Sequence, residues 1–507
     1  MPVTAPAQSF RSADSVIRRM WQVGIDQSQV ERLGQVLIDS IGPRLSGSPG
    51  FAAAVGWLEK TYQGFGISAK REQYGTWRGW QQGAVHMQLI APRVQNLDVE
   101  LLAWSPGTPG GRATEGEAVV IPALADAAAA VEWLKSVKGK FVLISAPEVM
   151  CRAPQELDRL ARPTTIARIT AQRTEARRLA TARMNALALP GTPSGSAMQR
   201  LEDAGVIGIG TTLWSGGWGV NKIFGAVSER VPSLDLSCED YGLLYRLASN
   251  RQGPRIRMLV ESQATPAEVP MFNVVAEIKG TELPNEYVVL GAHLDSWHGA
   301  TGATDNGTGT LTMLEAMRII KETYPNPRRT IIAGHWGGEE QGTIGSLAFN
   351  EDHKDVIAGL QVAFNQDNGT WRVETLEGQG FLKASANLAR WVSQLPAEMT
   401  DSVKLQLPGP QANSGSDHTS FICRGAPAFR LQSNYPEYRQ YTWHTNRDTF
   451  DKIVFDDLKQ NATMAAMLAY AASEDRERTS REQAVLSGAG GAARAWPTCR
   501  PAQRSSK

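Results

Sequence analysis

Hydrophobic and polar positions along the chain fall into three textures. Near the start, Val30, Leu33, Leu37 and Ile41 recur at helical spacing, with Asp26 or Ser28 placed to cap the helix. The loop IGPRLSGSPG (41–50) ends it, and a second helix follows with Phe51, Val55, Leu58 and Tyr62 on one face. From about residue 115 short apolar runs appear. EAVVIPAL (117–124), GKFVLISA (139–146) and GVIGIGTT (205–212) predict buried strands, with an alanine-rich helix between the first two. Residues 152–184 predict a mostly helical segment with a start or kink at Pro163. After PAEVP (266–270), YVVLGAH (287–293), TIIAGHW (330–336) and QVAFNQD (361–367) have the continuous apolar character of parallel strands, and a helix is expected around 308–323. Alternating strands and helices imply an α/β architecture with a mixed, mostly parallel central sheet covered by helices. LALPGTPSGSAM (187–198) is expected to be a linker. The Arg-, Ser-, Gly- and Ala-rich stretch 476–507 is expected to be a flexible tail.

Composition narrows the functional classes. The chain has 507 residues, a hydrophobic share of 42% and a formal charge of +1. That length suits two or three domains. Balanced charge gives no overall basic face for nucleic acid, and no apolar stretch approaches the ~18–20 residues of a membrane span. Residues 1–15 show no signal-peptide pattern. The segment 152–184 carries eight arginines against three acidic residues, which is most simply a solvated helix face. The four cysteines, Cys151, Cys238, Cys423 and Cys499, are far apart and form no C-x-x-C, which argues against a thiolate zinc site or redox motif. A chain this long needs no disulfides, and their pairing stays open. With only seven histidines, any metal site must draw on carboxylates.

The candidate chemistry lies at the ends of the three strands after residue 270. The first delivers His293 and Asp295, the second Glu339 and Glu340, the third Asp367. TGATDNGTG (301–309) adds Asp305 before a helix, and YTWHTNRDT (441–449) adds His444 in a polar loop. Ligands in open α/β sheets bind beyond the carboxyl ends of strands. Two histidines and three carboxylates, one of them shared, suffice for two divalent ions. Nitrogen and oxygen donors without thiolate suit catalytic zinc, with cobalt or manganese as substitutes. Each residue alone has an ordinary structural explanation; their convergence does not.

HLDSW (293–297), GATDNGTG, GGEEQGTIGS (337–346), NQDNGT (365–370), GSDHTSF (415–421) and WHTNRDT resemble, in order and spacing, the M28 family of zinc exopeptidases. The resemblance implies the zinc-exopeptidase fold and the following division. Residues 1–114 are the N-terminal part of the peptidase domain, 115–265 an inserted protease-associated-like domain with the basic helix, and 266–475 the catalytic domain. It implies two Zn2+ ions, with His293 and Asp367 on one, Glu340 and His444 on the other, and Asp305 bridging. The peptide after Asp305 is expected to be cis. Glu339 takes the part of general base toward a metal-bridging hydroxide, and Asp295 orients His293. Asn306 stands where relatives often have Asp. The substrate-binding residues stay open, with Tyr435, Tyr438 and Tyr441 as candidates for an oxyanion donor and Arg430, Arg439 and Arg447 for a carboxylate. Of the remaining histidines, His335 is read as a strand residue, His418 as structural, and His86 and His353 as surface. The implied activity is aminopeptidase on a peptide or dipeptide. A carboxypeptidase or dipeptidase of the family, a single-zinc glutaminyl cyclase and a non-catalytic receptor-like ectodomain are the alternatives. Relatives are mostly secreted or periplasmic; the cytoplasm stays open, as does a homodimer.

Overall fold

The computed structural model describes residues 12–188, 196–367, 369–411, 415–487 and 493–506; the linker expected at 187–198 falls largely outside them. Apolar runs become strands where the sequence places them: Leu283–His293, Arg329–Trp336 and Leu360–Asn365, mutually parallel through the first. Ala428–Ser433 adds a further parallel strand beside Leu360–Asn365. All residues of Arg329–Trp336 and Leu360–Asn365 are buried, as expected for strands covered on both faces. The helix Thr308–Thr323 matches its expected span, and it packs with Phe455–Glu474 against the strand Leu283–His293. The result is a mixed, mostly parallel central sheet flanked by helices.

The first predicted helix is shorter than its apolar stripe. It runs over Val30–Gly34 and continues as a wider turn over Gln35–Ile41. The Ser28 hydroxyl bonds the buried Glu315 carboxylate (3.1 Å), which also accepts the Gln29 amide (2.9 Å).

The sequence pattern gave no sign of a long antiparallel ribbon. Ser68–Ala91 pairs with Arg255–Ile278 through four register shifts. Near its end Arg255–Ile278 pairs with Arg329–Trp336, and near its start with Thr114–Val120. The ribbon therefore joins the central sheet to the strands of 115–265 in one 14-stranded sheet. In that second part Thr114–Val120, Phe141–Leu143, Gly208–Thr211 and Ser233–Leu236 run parallel over their own apolar clusters. The basic segment forms two helices, Pro154–Leu160 and Pro163–Leu187, the second starting at Pro163.

The structure goes beyond the sequence at two points. Cysteines pair as Cys151–Cys238 and Cys423–Cys499, contacts that sequence spacing does not encode. Residues 493–506, expected to be part of a flexible tail, lie against the catalytic part. Trp496 packs on Phe381 and its indole N–H donates to the Ala484 carbonyl (3.0 Å). The Ala502 amide and the Arg504 guanidinium bond Glu351, and Ser505 bonds Glu268. Polar anchors and a disulfide hold this strap, so its lack of an apolar pattern was uninformative. No described helix is long and apolar enough to cross a membrane.

Candidate active site

Five segments deliver the five predicted ligands to one place. His293 closes its strand, and Asp305 lies in the turn Ala303–Gly307, where the Asp305–Asn306 peptide is cis. Glu340 follows Trp336 after a turn through Gly338, whose φ of +71° is readily available only to glycine. Asp367 follows Asn365, and His444 sits at φ +55°. Such a backbone persists in a histidine only where its surroundings hold it. Here the His444 carbonyl accepts the Ile223 amide (2.8 Å).

The side chains form two triads that share Asp305: His293, Asp305 and Asp367, and Asp305, Glu340 and His444. Donors about 2.0–2.1 Å from a tetrahedral zinc stand about 3.3–3.4 Å apart. His293 Nε2 lies 3.5 Å from Asp305 Oδ1 and 3.4 Å from Asp367 Oδ1. His444 Nε2 lies 3.4 Å from Asp305 Oδ2 and 3.0 Å from Glu340 Oε2. Buried His293 Nε2, Asp305 Oδ2 and Glu340 Oε1 have no hydrogen-bond partner among the described residues. Buried polar atoms seldom stay unpaired; the donor set and its spacing fit two zinc ions.

Electrostatics point the same way. Burial pushes the Glu339 and Glu340 carboxyls well above their usual range, and neighbouring carboxylates, Asp367 for the first and Asp305 for the second, push further. Burial opposes charge on His293, but Asp367 and Glu339 outweigh it and favour a cation there. Asp367 is pushed up by burial, yet His293 and Arg430 hold it below the usual range. Burial lowers His444 to about 4, leaving the neutral imidazole that ligates metals.

Surrounding groups fix the ligand loops. The Asp295 carboxylate accepts the amides of Glu339 (3.1 Å) and Glu340 (3.2 Å), and lies 3.6 Å from His293 Nδ1. That ring nitrogen is closer, at 3.0 Å, to the Asp295 carbonyl oxygen. Three residues escaped the sequence reading. Fully buried Arg44 donates to the carbonyls of Leu294, Thr301 and Gly302, tying the His293 and Asp305 loops together. Asp448 accepts the amides of Thr304 and Asp305 and the Thr304 hydroxyl. Lys222, from the 115–265 part, donates to the carbonyls of Arg439 and Trp443 in the His444 loop. Asp448 lay inside the WHTNRDT motif; Arg44 and Lys222 carried no local signal.

A cavity of about 610 Å³ opens on the triads. Of the three candidate tyrosines only Tyr438 lines it; of the three arginines Arg430 and Arg439 do, while Arg447 bonds the Gly219 carbonyl instead. Asn306 turns away and bonds the Gln366 carbonyl (2.9 Å). His335 is a buried strand residue bonded to Tyr62 (2.6 Å), and His418 is buried. Burial lowers both to about 3. His86 is exposed, whereas His353 is half-buried against Glu72 (2.8 Å).

A mixed sheet with two carboxylate–histidine triads at its strand ends belongs to the metallohydrolases of the α/β class. Residues 273–469 match the family model "Peptidase family M28". Mouse carboxypeptidase Q is 27% identical over 455 residues, 89% of this chain and 87% of that protein. Among solved structures, the peptidase M28 precursor of Shewanella amazonensis superposes with a TM-score of 0.67 at 22% identity, covering 92% of this chain and 97% of that one. A zinc aminopeptidase from Bacillus subtilis gives 0.57 at 17% identity, over 90% and 97%. Residues 273–469 form a peptidase family M28 domain, and the chain is a zinc-dependent hydrolase.

Proposed function

We propose that the protein is an exopeptidase working with two zinc ions. His293 and Asp367 hold one, Glu340 and His444 the other, and Asp305 lies between them. The observation that carries this reading is the pair of triads sharing Asp305, with donor separations close to tetrahedral edges. Bound zinc would acidify a water molecule and polarise the scissile carbonyl. Glu339 faces the same cavity beside Glu340; its carboxylate takes the proton of the attacking water and passes it to the leaving amine. Tyr438 lines that cavity too, and its hydroxyl is the donor we assign to the developing oxyanion. Asp295 keeps His293 and both glutamates in register. A free amino acid leaves with each cut.

We read 115–265 as a protease-associated-like insert that braces the His444 loop through Lys222. Two disulfides support an oxidising, secreted or periplasmic location. Among terminal specificities, the aminopeptidase reading rests on the family, whereas the arginines of the cavity favour a free carboxylate. Glu339→Gln tests the assignment: it should retain both metals and lose about 10²–10⁴-fold in kcat. A variant that turns over at the wild-type rate removes Glu339 as the base. Zinc content near one per chain would favour the cyclase reading, and none the receptor-like one.

A further inference from the structure

The cavity is lined by both acidic and basic side chains. Its carboxylates are the proposed metal ligands Asp305, Glu340 and Asp367 and the proposed base Glu339, while Arg430, Arg439 and Arg500 line it as well. Among the described residues none of these arginines has a carboxylate within ion-pair distance, whereas Arg173, Arg329 and Arg390 each pair with one. Arg430 is committed inward, donating to the Asp367 carbonyl (2.8 Å). The Arg439 guanidinium lies 4.4 Å above the Trp443 ring. Arg500 donates to the Gly342 carbonyl, directly after the Glu339–Glu340 turn.

Arg500 arrives from outside the family domain, on the strap 493–506. The Cys423–Cys499 disulfide pins the residue before it, and the Ala502 amide bond to Glu351 (3.0 Å) pins the chain after it. Pro497, Thr498 and Cys499 wall the cavity alongside it. A guanidinium held this way keeps donors free for a ligand and loses little freedom on binding. Two zinc ions would offset the four acidic groups and leave the arginines uncompensated. Arg439 and Arg500 are exposed and open to an anionic group of the substrate.

Resting on the dizinc exopeptidase reading, we infer that Arg500, together with Arg439, determines specificity by binding a carboxylate of the substrate. The α-carboxylate of a chain end is the source we assign, which makes the enzyme a carboxypeptidase or dipeptidase. An acidic side chain carries the same chemistry.

The test compares Ala-Ala, Ala-Ala amide and Ala-Glu amide on the full-length zinc enzyme. The wild type should prefer Ala-Ala over its amide at least tenfold in kcat/KM. Arg500→Gln should raise KM for Ala-Ala by about 10- to 100-fold, leave kcat nearly unchanged, and leave the amide unaffected; Arg439→Gln should act the same way. Arg500→Lys should recover part of the loss. Sensitivity of Ala-Glu amide to Arg500→Gln would assign the acidic side chain as a further source. Equal handling of acid and amide by the wild type, with Ala-Glu amide no better than Ala-Ala amide, overturns the inference. So does an equal effect of both variants on all three peptides. Calorimetric binding of the same peptides makes the comparison without turnover. Absent hydrolysis with acid-selective, Arg500-dependent binding would defeat the exopeptidase reading and keep the carboxylate site.

Discussion

Asp295 is the residue on which both ligand sets depend. It is completely buried, and its two carboxylate oxygens each accept one amide of the Glu339–Glu340 pair, at 3.1 and 3.2 Å. Glu340 is a predicted metal donor and Glu339 the predicted base, so one side chain sets the backbone of both. On its other flank, His293 Nδ1 meets the Asp295 carbonyl at 3.0 Å. A hydrogen bond there leaves Nε2 as the metal-facing nitrogen. The sequence placed Asp295 beside the site but ascribed to it only the orientation of His293; its grip on the two glutamates joins positions 44 and 45 residues away and has no local pattern. Asp295→Ala should weaken zinc binding by about 10–100-fold. It should also cost about 1–3 kcal/mol in stability, because two part-buried amides lose their acceptor. Zinc-buffer titrations and urea melts read these separately, and an unchanged zinc affinity would show that the ligand loops hold without it.

At the scale of elements, the strands that were legible are those whose residues are buried on both faces. Arg329–Trp336 and Leu360–Asn365 read as apolar runs because every position meets the core. The ribbon strand Ser68–Ala91 was illegible for the opposite reason. Its buried, half-buried and exposed residues follow no steady alternation, and four register shifts break the period of two. The ligands were legible because each sits at the end of a readable strand, in a Gly-rich turn or, for His444, in a distinctive polar loop. What holds them was not: Arg44 and Lys222 act through carbonyls far away in the chain. Lys222 matters most for the His444 loop. Its ammonium donates to the carbonyls of Arg439 and Trp443 and lies 4.3 Å above the Trp443 ring. Phe224 packs its ring 5.0 Å from that of His444. Burial lowers Lys222 to about 8, while the Asp305 and Asp235 carboxylates favour its charge. Lys222→Met should loosen this loop and cost the zinc held by Glu340 and His444, while His293 and Asp367 keep theirs. Zinc content per chain, with and without mild chelation, checks this; wild-type content under both conditions would falsify the bracing role.

Over the whole molecule, metal binding and folding are one equilibrium. The proposed ligands span residues 293 to 444 and come from five separate segments, so no unfolded conformation reproduces the triads. Zinc therefore binds the folded chain almost exclusively and stabilises it by mass action, about 2.7 kcal/mol at a free concentration of 100 times the dissociation constant. The disulfides act on different parts. Cys423–Cys499 ties the strap to the catalytic part, and Cys151–Cys238 links the start of the basic segment to the helix Cys238–Ser249. Both constrain the unfolded chain whether or not metal is present. Chelation should consequently lower the unfolding temperature of the oxidised protein by several degrees, and added zinc should restore it. Asp305→Asn removes the donor common to both triads, so its melting temperature should barely respond to zinc. It should melt at or somewhat above the chelated wild type, since Glu340 no longer faces the repulsion of the Asp305 carboxylate. Differential scanning calorimetry in zinc and in chelator, on both proteins, decides the matter. A zinc response in Asp305→Asn as large as in the wild type would mean that the stabilising ions bind somewhere other than these triads.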